Sequence, residues 1–365
     1  MKKIKVLNVI GEIGYGGAEL LTIEISKQVS CRDIDVSIAV LGFCQPEVVE
    51  LTELAGLKLF RFNSSLLSPL NIFRIWYLIW SGVFDVVHVH LFPSIYWVAL
   101  AGLFCNRKVS FIYTEHSTGN GRRKFVWLRP LERWVYARYM FVVCICRDVQ
   151  DSLIGWLPGL KSSVVINNGI NLKRFSDALP VQRKILNFES GDKLIFMAGA
   201  FRVEKNQITL VRSLQHLPEN YKLVLAGIGS EFERVKSEAL LLGIADRVRF
   251  LGAVSNVECF MKTADVYVLP SFFEGFGLSA VEAAAAGLPI VYADVSGLRA
   301  LFSGVGVPID PTCAISIAAG VLRATSTEEF RSKLVIDSLA MAQKYDLQEA
   351  AKSYCDLYRM SVKIE

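Results

Sequence analysis

The chain has 365 residues, of which 52% are hydrophobic and 21% charged, and its formal net charge is +5. This composition excludes a disordered chain, because such chains combine low hydrophobicity with high net charge. At about 150 residues per domain, the length predicts two domains, each large enough to bury its own core.

Short β-branched runs alternate with longer amphipathic segments, a pattern typical of parallel sheets covered by helices. In the first half, strands are predicted at residues 4–10, 36–41, 86–90, 110–114, 141–145 and 163–166. In the second half, they are predicted at residues 193–198, 221–226, 248–251, 266–269 and 289–292. The pattern therefore predicts the α/β class, with two doubly wound, Rossmann-like domains. The stretch 168–192 between the two series is polar and rich in turns, so we place the boundary there, with domains at 1–175 and 176–345.

The first residues predict a strand rather than a signal peptide. Three early lysines precede an apolar run, but that run stops at Gly11 and Glu12. The longest apolar stretches, 66–80 and 91–105, are interrupted by polar residues or proline and are shorter than the roughly 18–20 residues that span a bilayer. We therefore expect a cytoplasmic protein. The eight cysteines show neither C-x-x-C pairs nor zinc spacing, so we expect reduced thiols and no metal site.

A glycine-rich turn, Gly-Glu-Ile-Gly-Tyr-Gly-Gly-Ala-Glu, follows the first predicted strand at residues 11–19. A dinucleotide fingerprint, G-x-G-x-x-G, that begins at Gly14 would need glycine at position 19, where Glu19 stands. This departure disfavours a nicotinamide-dependent oxidoreductase. A glycine turn alone is otherwise weak evidence for a ligand.

Three of the four histidines lie in or just after predicted strands of the first half. His116 follows the strand 110–114, while His88 and His90 lie within 86–90. We expect His88 and His90 to point to opposite faces of the sheet, with His90 on the ligand side and His88 in the core. A lone histidine such as His116 is more often structural than a ligand, unless other features support the site.

The segment Arg122–Tyr139 is basic and aromatic. It contains six cations against one acidic residue, Glu132, and five aromatic residues. Such a mixture suits peripheral contact with the anionic inner face of the plasma membrane. Nucleic acid is the other common polyanion, but no recognition fold accompanies the segment, so we expect no nucleic-acid partner. An ordinary solvated helix face is the alternative interpretation.

Two cations follow the first predicted strand of the second half. Arg202 and Lys205 lie in the loop Gly-Ala-Phe-Arg-Val-Glu-Lys-Asn at residues 199–206. In doubly wound folds, the carboxyl edge of the sheet is where ligands bind. Cations there can neutralise the charge that builds on a departing diphosphate. Two solvated surface cations are the alternative.

The most specific stretch runs from residue 269 to residue 291. A predicted strand ends at Leu269, a glycine-bearing loop follows, and an alanine-rich helix ends at Gly287. At the start of this helix, the backbone N–H groups of Gly277, Leu278 and Ser279 suit a phosphate group.

Two carboxylates flank this helix start, Glu274 in the loop and Glu282 about one turn into the helix. A carboxylate on a buried alanine-rich segment needs hydroxyl or cationic partners, because an isolated buried charge is costly. The pair suits the sugar and ribose hydroxyls of a nucleotide sugar. The alternative is that the helix dipole alone favours acidic residues here.

The two glutamates match an E-x7-E signature, and the flanking Pro270-Ser271, Gly275-Phe276-Gly277 and Gly287-x-Pro289 extend the match. The chain thereby resembles the retaining glycosyltransferases of family 4, or group 1, which have the two-domain, phosphorylase-like GT-B fold. This family includes bacterial mannosyltransferases and sucrose synthases. The resemblance implies two domains that face each other across a cleft, the first for the acceptor and the second for the nucleotide sugar. It also implies that a C-terminal helix at 346–365 packs back on the first domain.

The resemblance also implies roles for individual residues. Glu274 and His116 would contact the donor sugar, and Glu282 would bind the ribose. Arg202 and Lys205 would bind the donor diphosphate, above the glycine loop with Gly16 and Gly17. Two departures from the family pattern are that only two residues separate Arg202 from Lys205, fewer than in many members, and that Asn171 replaces the common Asp of the junction motif.

The activity implied is transfer, with retention of configuration, from a nucleotide diphosphate sugar of the UDP or GDP type to a hydroxyl acceptor. No cofactor and no bound metal are expected. By analogy, the acceptor is a saccharide or a lipid-linked saccharide in bacterial surface polysaccharide biosynthesis, such as lipopolysaccharide O-antigen, capsule or exopolysaccharide. The alternative is a non-catalytic sugar-nucleotide-binding or partner subunit on the same fold, against which the intact Glu274 and Glu282 argue.

Overall fold

A computed structural model describes residues 3–30, 33–105, 108–119 and 121–363. The chain forms two compact units, one of Met1–Gly169 with Leu347–Glu365 (unit 1) and one of Ile170–Asp346 (unit 2). Each unit is built on a parallel sheet whose central strands are buried along nearly their whole length. These sheets confirm the predicted α/β class with two Rossmann-like domains.

Unit 1 contains a seven-stranded sheet in the order β3-β2-β1-β4-β5-β6-β7. Its strands are β1 (Ile4–Ile10), β2 (Ile34–Val40), β3 (Lys58–Arg61), β4 (Val86–His90), β5 (Ser110–Glu115), β6 (Phe141–Cys144) and β7 (Ser163–Val165). Between them lie α1 (Gly17–Val29), α2 (Pro46–Leu54), α3 (Leu70–Gly82), α4 (Ser94–Ala101), α5 (Arg129–Tyr136) and α6 (Arg147–Trp156). Short 3-10 helices lie at Gly102–Phe104, Gly121–Lys124 and Val126–Leu128.

Unit 2 contains a six-stranded sheet in the order β10-β9-β8-β11-β12-β13. Its strands are β8 (Lys193–Ala198), β9 (Tyr221–Ala226), β10 (Val248–Gly252), β11 (Val266–Leu269), β12 (Ile290–Ala293) and β13 (Val307–Ile309). Its helices are α7 (Leu172–Ser176), α8 (Gln207–Ser213), α9 (Phe232–Leu241), α10 (Val257–Thr263), α11 (Leu278–Ala285), α12 (Ser296–Phe302), α13 (Ala314–Ala324) and α14 (Glu328–Ala342). Its 3-10 helices lie at Arg183–Leu186, Val203–Lys205, Leu214–His216, Ala245–Arg247 and Gln343–Tyr345.

In both sheets, the chain starts in the middle, adds two strands to one side and then crosses to the other side. The crossing pairs β4 with β1 in unit 1 and β11 with β8 in unit 2, and both ladders are parallel. At such a switch point the two flanking connections leave in opposite directions, which opens a crevice at the carboxyl ends of the strands. Each unit therefore has its own candidate ligand position.

The last helix, α15 (Leu347–Lys363), belongs to unit 1, where it packs on α1, β1 and β4. The predicted boundary at residues 175 and 176 falls within α7, but α7 belongs to unit 2. Two contacts tie this segment to unit 2: just before α7 the Ile170 N–H donates to the Tyr345 carbonyl at 2.8 Å, and Arg174 of α7 pairs with Glu258.

In the part of the chain that the structure describes, no helix combines the length and the apolar character needed to cross a membrane. The two apolar stretches noted in the sequence overlap α3 and α4, of 13 and 8 residues.

Candidate functional site

Lys205 and Glu274 form an ion pair at the switch point of unit 2. The Lys205 loop follows β8, the Glu274 loop follows β11, and the two strands are neighbours. The Lys205 Nζ lies 2.5 Å from the Glu274 Oε1, which also accepts a hydrogen bond of 2.9 Å from the Ser271 hydroxyl. The Glu274 side chain is 9% exposed and that of Lys205 is 23% exposed. The structure thus brings together two residues that the sequence places 69 positions apart.

Backbone contacts hold the two loops against each other. The Phe272 N–H donates to the Glu204 carbonyl at 2.8 Å. The buried Asn206 side chain donates to the carbonyls of Pro270 at 3.1 Å and Pro311 at 2.7 Å. These bonds join the residues on either side of Lys205 to the loop after β11, and Asn206 also ties them to the loop after β13.

The α11 helix begins directly after the Glu274 loop. Its cap residue, Gly277, has φ +77°, a left-handed conformation that favours glycine. The first intrahelical N–H donor is that of Ala280, so the N–H groups of Leu278 and Ser279 precede the helical ladder. The Ser279 side chain itself turns to the buried Tyr267 hydroxyl. Backbone groups, rather than this hydroxyl, are therefore what the helix start offers to an anion.

Gly297, in the first turn of α12, supports the Glu274 loop and was not identified from the sequence. A Cβ at this position would lie 2.3 Å from the Glu274 carbonyl oxygen, so only glycine allows this approach. A glycine after the next strand is a signal that could have suggested such a contact, but the sequence alone does not show which loop it touches.

Glu282 lies on α11 beside an ion pair that was also not identified from the sequence. Burial raises the pKa of Glu282 to about 7. Two smaller effects act on the same pKa: nearby Arg174 lowers it and nearby Glu258 raises it. Arg174, on α7, donates to the Glu258 Oε2 from Nε at 3.0 Å and from Nη2 at 2.8 Å. The carboxyl group of Glu282 is therefore poised between its neutral and ionised forms at neutral pH.

Arg202 shares the loop of Lys205 but does not join the ion pair. Its side chain is 68% exposed, and its Nη1 lies 3.9 Å from the Glu204 Oε1. A contact this long and exposed holds the guanidinium weakly. The structure thus places Arg202 in the same loop as Lys205 but leaves its side chain mostly exposed to solvent.

In unit 1, the glycine loop lies at the switch point after β1. The Glu19 carboxylate binds backbone N–H groups of this loop. The Glu19 Oε2 accepts hydrogen bonds from the N–H groups of Gly14 at 2.9 Å and Gly16 at 3.3 Å. Gly17 is the first residue of α1 and is exposed. The residue that breaks the dinucleotide fingerprint is therefore also the carboxylate that caps this helix.

The prediction that His88 and His90 point to opposite faces is wrong. Their ring centroids lie 4.2 Å apart, because side chains two positions apart share one face of a strand. His88 bonds to the Tyr358 hydroxyl at 2.6 Å and the Thr114 hydroxyl at 2.7 Å, as expected for a residue of the core.

His116 follows β5 and contacts His90. The His90 Nδ1 lies 3.2 Å from the His116 Nε2, so one of these two nitrogens carries the shared proton. Burial lowers the pKa of His116 to about 4 and that of His88 to about 3. The histidines are therefore neutral at physiological pH, and His116 is placed as a hydrogen-bonding group rather than a cation.

Two cations of the segment Arg122–Tyr139 are neutralised within unit 1. The Arg122 Nε lies 3.0 Å from the buried Glu132, and the Arg123 Nη2 lies 3.5 Å from the buried Glu115. The exposed groups of this segment include cations and two large rings, Phe125 at 52% and Trp127 at 75%. Its surface is thus more aromatic and less basic than its sequence predicts.

Two family models match the chain, one in each half. Residues 15–174 match Glycosyltransferase Family 4, and residues 180–338 match Glycosyl transferases group 1. Together they cover most of both structural units.

Similar proteins include glycosyltransferases from archaea and bacteria. An uncharacterised glycosyltransferase, MJ1607, of Methanocaldococcus jannaschii is 28% identical over 77% of this chain and 76% of its own. The GDP-mannose:cellobiosyl-diphosphopolyprenol alpha-mannosyltransferase of Komagataeibacter xylinus is 27% identical over 76% of this chain and 72% of its own. The crystal structure of Anabaena Alr3699/HepE in complex with UDP and glucose matches 97% of this chain and 99% of its own, with a TM-score of 0.85 and 18% identity. The chain therefore belongs to the group 1, family 4 glycosyltransferases of the GT-B fold.

Proposed function

We propose that this glycosyltransferase moves a sugar, with retention of anomeric configuration, from a nucleotide diphosphate sugar to a hydroxyl of a lipid-linked saccharide in surface polysaccharide biosynthesis. The observation that carries the proposal is the ion pair of Lys205 and Glu274 beside the start of α11. In this proposal unit 2 binds the donor and unit 1 binds the acceptor. No metal is required, because protein cations and helix N–H groups meet the diphosphate.

The chemistry assigned to the pair follows from charge. As the bond between the anomeric carbon and the diphosphate oxygen breaks, negative charge grows on the diphosphate. Lys205, joined by Arg202 after a side-chain rotation, stabilises that charge, and each such hydrogen bond contributes about 1.5–3 kcal/mol. Glu274 accepts hydrogen bonds from donor sugar hydroxyls and so holds the sugar beside Lys205.

The start of α11 and Glu282 complete the donor site. The N–H groups of Gly277, Leu278 and Ser279 face the phosphates at the positive end of the helix dipole. Glu282 accepts hydrogen bonds from the ribose hydroxyls. Both UDP and GDP fit this set of contacts, since none of these groups reads the base.

We further assign the glycine loop and His116 of unit 1 to donor binding. In this proposal Gly16 and Gly17 belong to the diphosphate site, and neutral His116 bonds to a donor sugar hydroxyl. No carboxylate is assigned as a covalent nucleophile. The acceptor oxygen therefore attacks the face that the diphosphate leaves, through a short-lived oxocarbenium ion pair, and its proton passes to a diphosphate oxygen.

The assigned acceptor is a lipid-linked saccharide by analogy with the Komagataeibacter xylinus relative, whose name specifies a diphosphopolyprenol-linked sugar. An acceptor in the inner face of the plasma membrane also accounts for the exposed aromatic residues of the segment Arg122–Tyr139. The protein then works as a peripheral enzyme at that surface.

Replacing Glu274 by Gln tests the proposal. Gln keeps the size and the Ser271 contact but removes the charge that pairs with Lys205, so we expect kcat to fall about 10²–10³-fold, while donor affinity changes little. Transfer from a panel of UDP- and GDP-sugars gives the rate, and NMR of the product gives the anomeric configuration. Glu328→Gln, at a residue with an 80% exposed side chain on α14, is the matched control.

The alternative, a non-catalytic sugar-nucleotide-binding subunit, makes a different prediction. It expects saturable binding of a nucleotide sugar, no turnover with any acceptor, and no effect of Glu274→Gln beyond a change in affinity. Product with inverted configuration would instead contradict the retaining mechanism.

A further inference from the structure

An apolar groove lies in unit 1 between α4 and α5. Its volume is about 280 Å³, and its lining includes Leu67, Phe92, Trp97, Leu100, Leu131 and Trp134. The polar atoms of two lining rings are already used: the Tyr96 hydroxyl donates to the buried Glu132, and the Trp97 Nε1 donates to the Leu66 carbonyl at 2.7 Å. The groove therefore presents hydrocarbon and aromatic ring surface.

Charged contacts beside the groove fix its shape. Arg122, paired with Glu132, places its guanidinium 4.7 Å from the centre of the Phe92 ring and 5.4 Å from that of Tyr96. Both rings line the groove, and cation–π contacts of this length restrain them. The Arg122 guanidinium thus contacts two of the rings that line the groove.

The groove continues into an exposed apolar stripe. Leu67, which lines it, is 66% exposed and precedes α3. Along α3, the exposed fractions are 58% for Leu70, 63% for Phe73, 60% for Tyr77 and 56% for Trp80, at spacings of three and four residues. These spacings place the side chains on one helix face. A contiguous apolar band of this kind marks a binding surface.

Positive charge borders the same groove. The Arg138 guanidinium lies 4.9 Å from the centre of the Trp134 ring, and Arg138 is exposed. An occupant with an apolar body and an anionic end complements this arrangement.

We propose that the groove binds the first part of the hydrocarbon chain of an isoprenyl diphosphate, with the diphosphate near Arg138. The chemical identity of the occupant rests on the proposed function, in which the acceptor is lipid-linked. An extended peptide is a poorer fit, since its backbone N–H and C=O groups would find no partners there.

Photolabelling of the full chain with a diazirine analogue of farnesyl diphosphate tests the proposal. We expect mass spectrometry to find the label on peptides that contain residues 92–100 and 129–135, and excess farnesyl diphosphate, but not inorganic diphosphate, to prevent labelling. Leu131→Glu, at a 47% exposed position, should weaken binding by about tenfold or more, because it replaces an apolar contact with a charge that repels the diphosphate. Leu241→Glu, at an 83% exposed position on α9, is the matched control and should bind normally.

Label spread equally over other helices, or unchanged binding by Leu131→Glu, would overturn the proposal. Binding to phosphatidylglycerol vesicles without saturable binding of farnesyl diphosphate would also overturn it, and would assign the band to the membrane surface instead. Farnesyl diphosphate binding by a protein that transfers no sugar would keep the groove and sink the proposed function. Sugar transfer to short, water-soluble acceptors without any labelling would keep the sugar-transfer function and contradict the groove proposal.

Discussion

The carboxyl group of Glu282 should make donor binding depend on pH near neutrality. Burial raises its pKa to about 7, while in the proposed donor site ribose hydroxyls would donate hydrogen bonds to the ionised form. Binding therefore favours loss of the proton, and we expect the affinity for a nucleotide sugar to rise from pH 6 to pH 8. Calorimetry in buffers with different ionisation enthalpies should show proton release on binding below pH 7.

Glu282→Gln is the control for this effect, because the amide does not titrate. Its donor affinity should be lower at pH 8 and nearly independent of pH. In the natural protein, the folded pKa lies above the ordinary glutamate value of 4.5, so ionisation of Glu282 lowers stability as pH rises from about 4.5 to about 7. As pH rises across this window, the free energy of unfolding of the variant should therefore increase relative to that of the natural protein. A constant difference between the two proteins from pH 4 to pH 8 would contradict the raised pKa.

At this scale, the sequence identifies residues better than it identifies their partners. The spacing of Glu274 and Glu282 and the position of Lys205 could be predicted, since a strand end and a helix start are local signals. The partners could not, because Arg174 and Glu258 lie 84 positions apart and meet only in the folded unit. The role of Glu19 as a cap of its own glycine loop also needed coordinates.

At the scale of elements, α12 contacts the Glu274 loop through Gly297. The ideal Cβ of an alanine at this position would lie 2.3 Å from the Glu274 carbonyl oxygen and 3.1 Å from its carbon. Because the obstacle is backbone, the loop or the helix must move. We expect Gly297→Ala to destabilise the protein by about 1–3 kcal/mol and to lower kcat by displacing Glu274. Thermal unfolding and transfer rates measure the two effects.

Gly191→Ala is the matched control for Gly297→Ala. It lies in the same unit, and no heavy atom beyond its chain neighbours lies within 4 Å of its ideal Cβ. Activity and stability should stay close to those of the natural protein. If Gly297→Ala behaved like Gly191→Ala, α12 would not hold the Glu274 loop in place.

Most of the strands could be predicted, because buried parallel strands are continuous apolar runs. Two strands were missed, β3 and β13, which are edge strands of four and three residues. Their pairing depends on neighbours already in place, so their sequences carry little pattern. The pattern in Arg122–Tyr139 was also incomplete, since sequence shows the cations but not the buried carboxylates that neutralise Arg122 and Arg123.

At the scale of the whole molecule, the chain leaves unit 1 and returns to it. Residues 170 and 346 form an isolated bridge at the two crossings, and the last helix then joins the unit in which the chain began. Unit 1 is therefore discontinuous in sequence and unit 2 is continuous. Truncation of the C-terminal helix should therefore destabilise unit 1 more than unit 2.

Removal of α15 should unfold unit 1 and leave unit 2 folded. Four large side chains of α15 are at most 4% exposed, namely those of Leu347, Tyr354, Leu357 and Tyr358. At about 1.5–3 kcal/mol for each large apolar side chain, their burial contributes about 6–12 kcal/mol, close to the whole stability of a typical domain at about 5–15 kcal/mol. Removal of these side chains also removes the hydrogen bond between His88 and the Tyr358 hydroxyl in the core.

Hydrogen exchange of a chain that stops at residue 346 measures this directly. Amides of β4 and β5 should lose protection, while those of β8 and β11 should keep it, because unit 2 retains all its own strands. Tyr358→Phe in the full chain removes only the hydroxyl that bonds His88 and should preserve protection in both sheets, with a stability loss of about 1–3 kcal/mol for the unsatisfied buried nitrogen. Equal loss of protection in both units on truncation would mean that they unfold as one cooperative body, and that the discontinuity of unit 1 has no separate energetic consequence.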